Sequence, residues 1–192
     1  VSNRYALSVT PVLEGNGTVE FFIENIGGVS SNNTLNLNQW YHISAVYNGS
    51  EMKVYIDGQL EGVTSASGII EVDEWPFWIG SANGNSFFNG NIDNVRVWNQ
   101  VLNEEEIQSY MNCLPMESME GLIGHWNFEE GPEQGQVLDL SQDGNNGVIG
   151  GATYSEDVPN QNCSNNSVSE IEGFTYGGEF NGNAYYISNN GM

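Results

Sequence analysis

Over most of the first hundred positions, apolar and polar residues alternate in short runs broken by Gly and Asn, the period-two pattern of strands joined by hairpins. The pattern predicts strands over 5–9, 19–24, 40–47, 52–56 and 60–64, then over 75–80, 90–98 and 122–128, with a last short one at Val148 and Ile149. Asn48-Gly49 and Asp57-Gly58 supply the positive φ angles of tight type I′ turns, so 40–64 reads as three consecutive antiparallel strands. In the middle one, Met52, Val54 and Ile56 point one way and Lys53, Tyr55 and Asp57 the other. One face is core and one is wet, as in a sandwich sheet. A single helix is predicted, over 104–111. Asn103 is a suitable N-cap, Glu106 occupies the capping-box position, and Ile107, Tyr110 and Met111 form one apolar edge.

Composition narrows the function. The 192 residues hold 25 Asp and Glu against 3 Lys and Arg, a formal charge of −22. Three scattered cations, Arg4, Lys53 and Arg96, cannot form the basic footprint that displaces counterions from phosphates, which excludes nucleic-acid binding. The same field repels anionic lipid and sulfated or uronic glycans unless a cation bridges the charges. No apolar run approaches the length of a membrane helix, so direct membrane insertion is not expected. The absence of an initiator Met and of a signal-type segment predicts a piece of a longer polypeptide. Cys113 and Cys163 are too far apart for a CxxC motif. One Cys113–Cys163 disulfide is the preferred reading over two free thiols; it would stabilise the fold by about 4 kcal/mol in the chain-entropy model and imply an oxidising compartment.

The string Gln39-Trp40-Tyr41-His42-Ile43-Ser44-Ala45-Val46-Tyr47, followed by Met52 to Gly58, Phe77-Trp78-Ile79-Gly80, Phe88 to Asn99, Leu102 and Glu104 to Ile107, resembles the LamG-like jelly-roll domains of the concanavalin A-like lectin and glucanase group. The resemblance implies an all-β, two-sheet antiparallel jelly-roll sandwich with one short helix. Gly121 to Gly131, with Asp139-Leu140-Ser141 and Asp143 to Gly147, is similar to the opening strand and loop of the same family, although it follows the helix. Either a second copy begins at residue 121, or this segment returns to complete the sandwich. The preferred reading is the return: a circularly rearranged domain over 1–159, with 113–163 closing the sandwich, since an unfilled edge exposes unpaired backbone. Residues 160–172, rich in Asn and Ser, read as a linker, and 173–192 as the start of a following, truncated module similar either to a jelly-roll strand pair or to a C-type-lectin-like hairpin.

Candidate chemistry is sparse. Glu71-Val72-Asp73-Glu74 invites comparison with glucanase carboxylates, but a retaining pair must face one sugar about 5 to 5.5 Å apart, and here the i+4 position is Trp75 while Glu74 at i+3 points away. The chain is expected not to be an enzyme. Asp139, Asp143 and Asn145 around Gly144 present oxygens as turn-borne calcium sites do, and the resemblance adds Asp93 as a distant ligand of a structural Ca²⁺; the alternative is that these residues make Asx turns. For sugars, flat aromatics with nearby amides are the expected pattern. Trp75, Trp78, Phe88, Asn83, Asn85 and Asn89 are the candidates, with Trp75 expected to be exposed, Trp78 expected to face the core because it lies within an apolar run, and Trp40, Trp98 and Trp126 expected in the core. The reading is a carbohydrate-recognition module of an extracellular protein, its partner a neutral glycan or a cell-surface protein. Its rivals are an adhesion spacer that binds protein alone and a glucanase-like hydrolase.

Overall fold

The computed structural model describes residues 5–11, 17–70, 76–82, 86–112, 120–129, 135–159 and 186–189. Strands β1 (Tyr5–Pro11), β2 (Gly17–Ile23) and β3 (Gly27–Leu35) form one antiparallel sheet in chain order. Strands β4 (Trp40–Tyr47), β5 (Glu51–Ile56) and β6 (Gln59–Ser65) form the main part of a second. Val19, Phe21, Ile23, Val29 and Leu35 of the first sheet meet Tyr41, Ile43, Met52, Val54 and Ile56 of the second in one buried cluster. Alternate residues of β2 and of β5 contribute, and each fully buried aliphatic stabilises the sandwich by about 1.5–3 kcal/mol. The sheets approach so closely at Gly62 that a Cβ there would collide with the Ser30 carbonyl.

Beyond β6 come a short hairpin of β7 (Ser81–Ala82) and β8 (Ser86–Phe87), strands β9 (Gly90–Asp93) and β10 (Val95–Trp98), helix α1 (Glu104–Asn112), strand β11 (Leu122–Trp126), a pair β12 (Gln136–Val137) and β13 (Gly147–Val148), and β14 (Tyr186–Asn189). β11 pairs antiparallel with β10, bringing the segment after the helix against the body of the sandwich. Val95, Trp126 and Val137 make a second, smaller core there, flanked by Ile79, Ile92, Val97, Phe128 and Ile149. β14 lies between β4 and β9, so the second sheet runs β6-β5-β4-β14-β9. Of the stretch 173–192, this strand is the part described.

The described residues thus form an antiparallel sandwich with one short helix, and α1 is closed by the expected reciprocal cap. The Glu106 N–H donates to Asn103 Oδ1 at 3.0 Å and the Asn103 N–H to a Glu106 carboxylate oxygen at 2.8 Å. Five local readings are corrected. β3 is not signalled by its Asn- and Ser-rich sequence, yet Ser31 takes an inward position: its hydroxyl accepts the Val19 N–H at 3.0 Å where the β2–β3 register slips. Asp57-Gly58 has positive φ at both residues, but at Asn48-Gly49 only the glycine does. There the Asn48 side chain organises the loop, accepting from the N–H groups of Ser50 and Glu51. The expected strand over 90–98 breaks at Asn94, whose φ is 50°. The described part of 75–80 is not strand. Tyr55, expected on the wet face, is buried.

Candidate functional site

The hairpin of β7 and β8 and the segment leading into it carry three exposed aromatic residues. Phe77 is 49% exposed, Trp78 46% and Phe87 70%. Phe77 stacks on Trp126 with centroids 5.6 Å apart, which fixes the root of the loop to the smaller core. The Phe88 N–H donates to the Gly80 carbonyl at 2.8 Å, holding the two limbs together. Phe88 is half-buried and Asn89 exposed. Trp78, expected to face the core, therefore faces solvent: its neighbours in sequence are apolar, but the backbone here leaves the sheet and loses the alternation that would turn the indole inward. Trp75, Asn83 and Asn85 lie outside the described residues, as do Cys113, Cys163 and the acidic run 71–74.

Among the tryptophans expected in the core, Trp126 is buried, its indole N–H donating to the Asn145 carbonyl at 3.0 Å. Trp98 is half-buried and stacks on Tyr110 at 5.6 Å. Trp40 is half-buried at the start of β4. Its indole N–H donates to Asp157 Oδ1 at 3.1 Å, and the Asn91 amide donates to Asp157 Oδ2 at 3.0 Å. Sequence reasoning did not single out Asn91 or Asp157. No local signal could have done so, since Trp40 and Asp157 are 117 positions apart.

The oxygen-rich turn is organised by its own hydrogen bonds. The buried Asp139 carboxylate accepts from the N–H groups of His125, Ser141 and Asn145 at 2.8–2.9 Å and from the Ser141 hydroxyl at 2.9 Å. Burial alone would raise its pKa, but these bonds outweigh it and hold the carboxyl below its ordinary value. Asn146 Oδ1 accepts the Asp139 N–H, and the Asn145 amide donates to the Ile123 carbonyl, which ties the turn to β11. The structure thus brings Asp139 and Asn145 together, while Asp143 is tied to the turn by its main-chain N–H, which donates to the Ser141 hydroxyl at 3.3 Å. Asp93 belongs to a different group: it is buried, accepts from the Asn94 N–H and amide, and burial pushes its pKa up to about 6. Among the described residues, no group of three or more His, Cys, Asp or Glu side chains is placed to hold a metal ion.

His42, Arg96 and His125 are buried and interact electrostatically. The Arg96 guanidinium donates to the Tyr110 carbonyl at 2.8 Å and so joins β10 to α1. Burial, reinforced by the charge of Arg96, lowers the pKa of His42 to about 3 and of His125 to about 4. Both imidazoles are therefore neutral near pH 7. Each histidine's main-chain N–H is held by an aspartate, Asp57 for His42 and Asp139 for His125, both at 2.8 Å.

The two packed antiparallel sheets and, among the described residues, one short helix define a β-sandwich of the concanavalin A-like class. The family model described as "Concanavalin A-like lectin/glucanases superfamily" matches residues 2–108, more than half of the sequence, and the chain belongs to that family. A crystal structure from Bacteroides ovatus ATCC 8483, bearing the name "putative carbohydrate binding protein", is similar over 69% of this chain and 40% of its own, at 22% identity and a TM-score of 0.56. The chain therefore spans well under half the length of that protein, and the likeness is one of fold. No curated protein matches the chain.

Proposed function

We propose that this chain is a non-catalytic carbohydrate-recognition domain of a secreted or surface-anchored protein, and that it binds neutral glycans. The observation that carries the reading is the exposure of Trp78, in the segment leading into β7, and of Phe87 on β8, followed in the chain by exposed Asn89. Flat apolar rings stack on pyranose faces while adjacent amides engage hydroxyls, and these residues provide both. Membership in the lectin and glucanase family and the name of the Bacteroides protein support the same class of ligand. The formal charge of −22 favours uncharged sugars over sulfated or uronic ones. No helix among the described residues is long and apolar enough to cross a membrane. A structural calcium is a separate part of the reading, supported by the oxygen-rich sequence of the 139–145 turn.

A glycan array probed with the intact chain, with and without chelator, tests both parts. Binding to neutral oligosaccharides is expected, with Trp78→Ala and Phe87→Ala each weakening it about tenfold, the loss of a stacking contact worth about 1.4 kcal/mol. Sensitivity to chelator would support the calcium. Failure to bind any glycan under either condition would favour a spacer that contacts protein alone, and release of reducing sugar from β-glucans would instead favour a hydrolase.

A further inference from the structure

Three side chains from distant parts of the sequence converge on one point of the second sheet. Trp40 on β4 and Asn91 on β9 share a register row with Ser188 of β14 between them. The loop carrying Asp157 crosses that row. Its carboxylate accepts from the Trp40 indole at one oxygen and from the Asn91 amide at the other, and the same amide lies 3.5 Å from the Asp157 main-chain carbonyl. The Asp157 N–H in turn donates to the Ser155 hydroxyl at 3.1 Å. Asp157 is exposed, with Trp40 and Asn91 half-buried beside it.

Solvent-exposed hydrogen bonds of this kind contribute about 1 kcal/mol each at most, little for the ordering of three side chains. What they do achieve is orientation: a planar indole, an amide and a carboxylate are fixed relative to one another before any ligand arrives. The unused capacity is all of one kind. Asn91 Oδ1 has no hydrogen-bond partner among the described residues, and a carboxylate that can accept about four bonds here accepts two from side chains. A complementary ligand must therefore present donors, and two hydroxyls on neighbouring carbons of a sugar ring match two acceptors held by one clamp. The negative charge of Asp157 rejects uronic and sulfated rings.

We propose that Trp40, Asn91 and Asp157 form a polar subsite that takes a vicinal diol of a neutral pyranose. The assignment rests on the glycan-binding reading above and locates the hydroxyl-reading part of that site. Asn89, two residues ahead of Asn91 and so about 7 Å away along the chain, connects it to the aromatic hairpin.

The test uses the intact chain with cellohexaose, laminarihexaose, mannohexaose and xylohexaose as probes, and chitosan hexamer as a cationic control. Titrations follow affinity and, in proton–nitrogen spectra, the indole N–H signal of Trp40. The expected result is that a neutral hexasaccharide binds and shifts the Trp40 signal, and that Asp157→Asn and Asn91→Ala each lower affinity at least tenfold with little change in thermal midpoint. Binding by the wild type with the Trp40 signal unmoved and both variants unaffected would overturn the subsite while leaving glycan recognition in place. Preference for the chitosan hexamer would overturn the neutral diol as its ligand. If no saccharide binds the wild type, the glycan reading itself fails and the subsite with it. The Trp40 signal is read on the unmodified protein, so the test stands even where a variant does not fold.

Discussion

Asp139 shows how much one side chain can organise. Its two oxygens collect three main-chain N–H groups and a hydroxyl, joining β11 to the 141–145 turn. Replacing it with Ala leaves buried donors without acceptors, and hydrogen bonds to a charged group contribute more than neutral ones. Asp139→Ala is expected to lose about 3 kcal/mol of stability by urea unfolding, with Asp139→Asn losing less because it retains one acceptor oxygen. The folded carboxyl has a lowered pKa, so its contribution is fully present above the ordinary carboxylate range and is lost as pH falls through the folded value.

Among the elements, those coded by neighbours a few residues apart were legible and those made by distant partners were not. Asn103→Ala removes a cap that sequence spacing alone identified, and should cost about 1 kcal/mol, measurable as a drop in thermal midpoint. The Asp57-Gly58 turn was legible for the same reason, since both residues tolerate positive φ. β3 was hidden because its inward positions include Ser31, whose fitness depends on a register slip in β2 that no local pattern reports. The aromatic hairpin was legible as a cluster of residue types, but which tryptophan faces water was not, because exposure of Trp78 depends on where the sheet ends. Gly62 illustrates the same dependence. Nothing in its sequence marks it, yet the β3 backbone at Ser30 leaves no room for a Cβ there, so Gly62→Ala should be more damaging than the usual glycine replacement in a strand. A loss of about 2 kcal/mol or more in chemical unfolding is expected, and a neutral result would contradict the close approach.

For the molecule as a whole, the buried residues His42, Arg96 and His125 link stability to pH. Both histidines have folded pKa values below 6.5, so between 6.5 and the folded values of about 3 and 4 the unfolded chain binds protons that the native one does not. Stability is therefore lost as pH falls through that window. Asp93 acts in the opposite sense, since its folded value of about 6 lies above the ordinary 3.8 and protonation favours the native state. The imidazoles outnumber it, and the net loss between pH 7 and pH 5 is expected to be about 2–3 kcal/mol. Urea titrations at pH 7, 6 and 5 read this directly, and His42→Gln should flatten the dependence.

Arg96, one of three cations in the chain, is buried beneath the surface, and Lys53 is matched by Glu51 at 3.1 Å. The water-facing shell is consequently closer to a bare polyanion than the composition suggests. Its mutual repulsion acts over distances that dissolved ions shorten, to about 8 Å at 0.15 M and about 3 Å at 1 M. Sodium chloride should therefore make the sandwich harder to melt, and dilution into low ionic strength should loosen it.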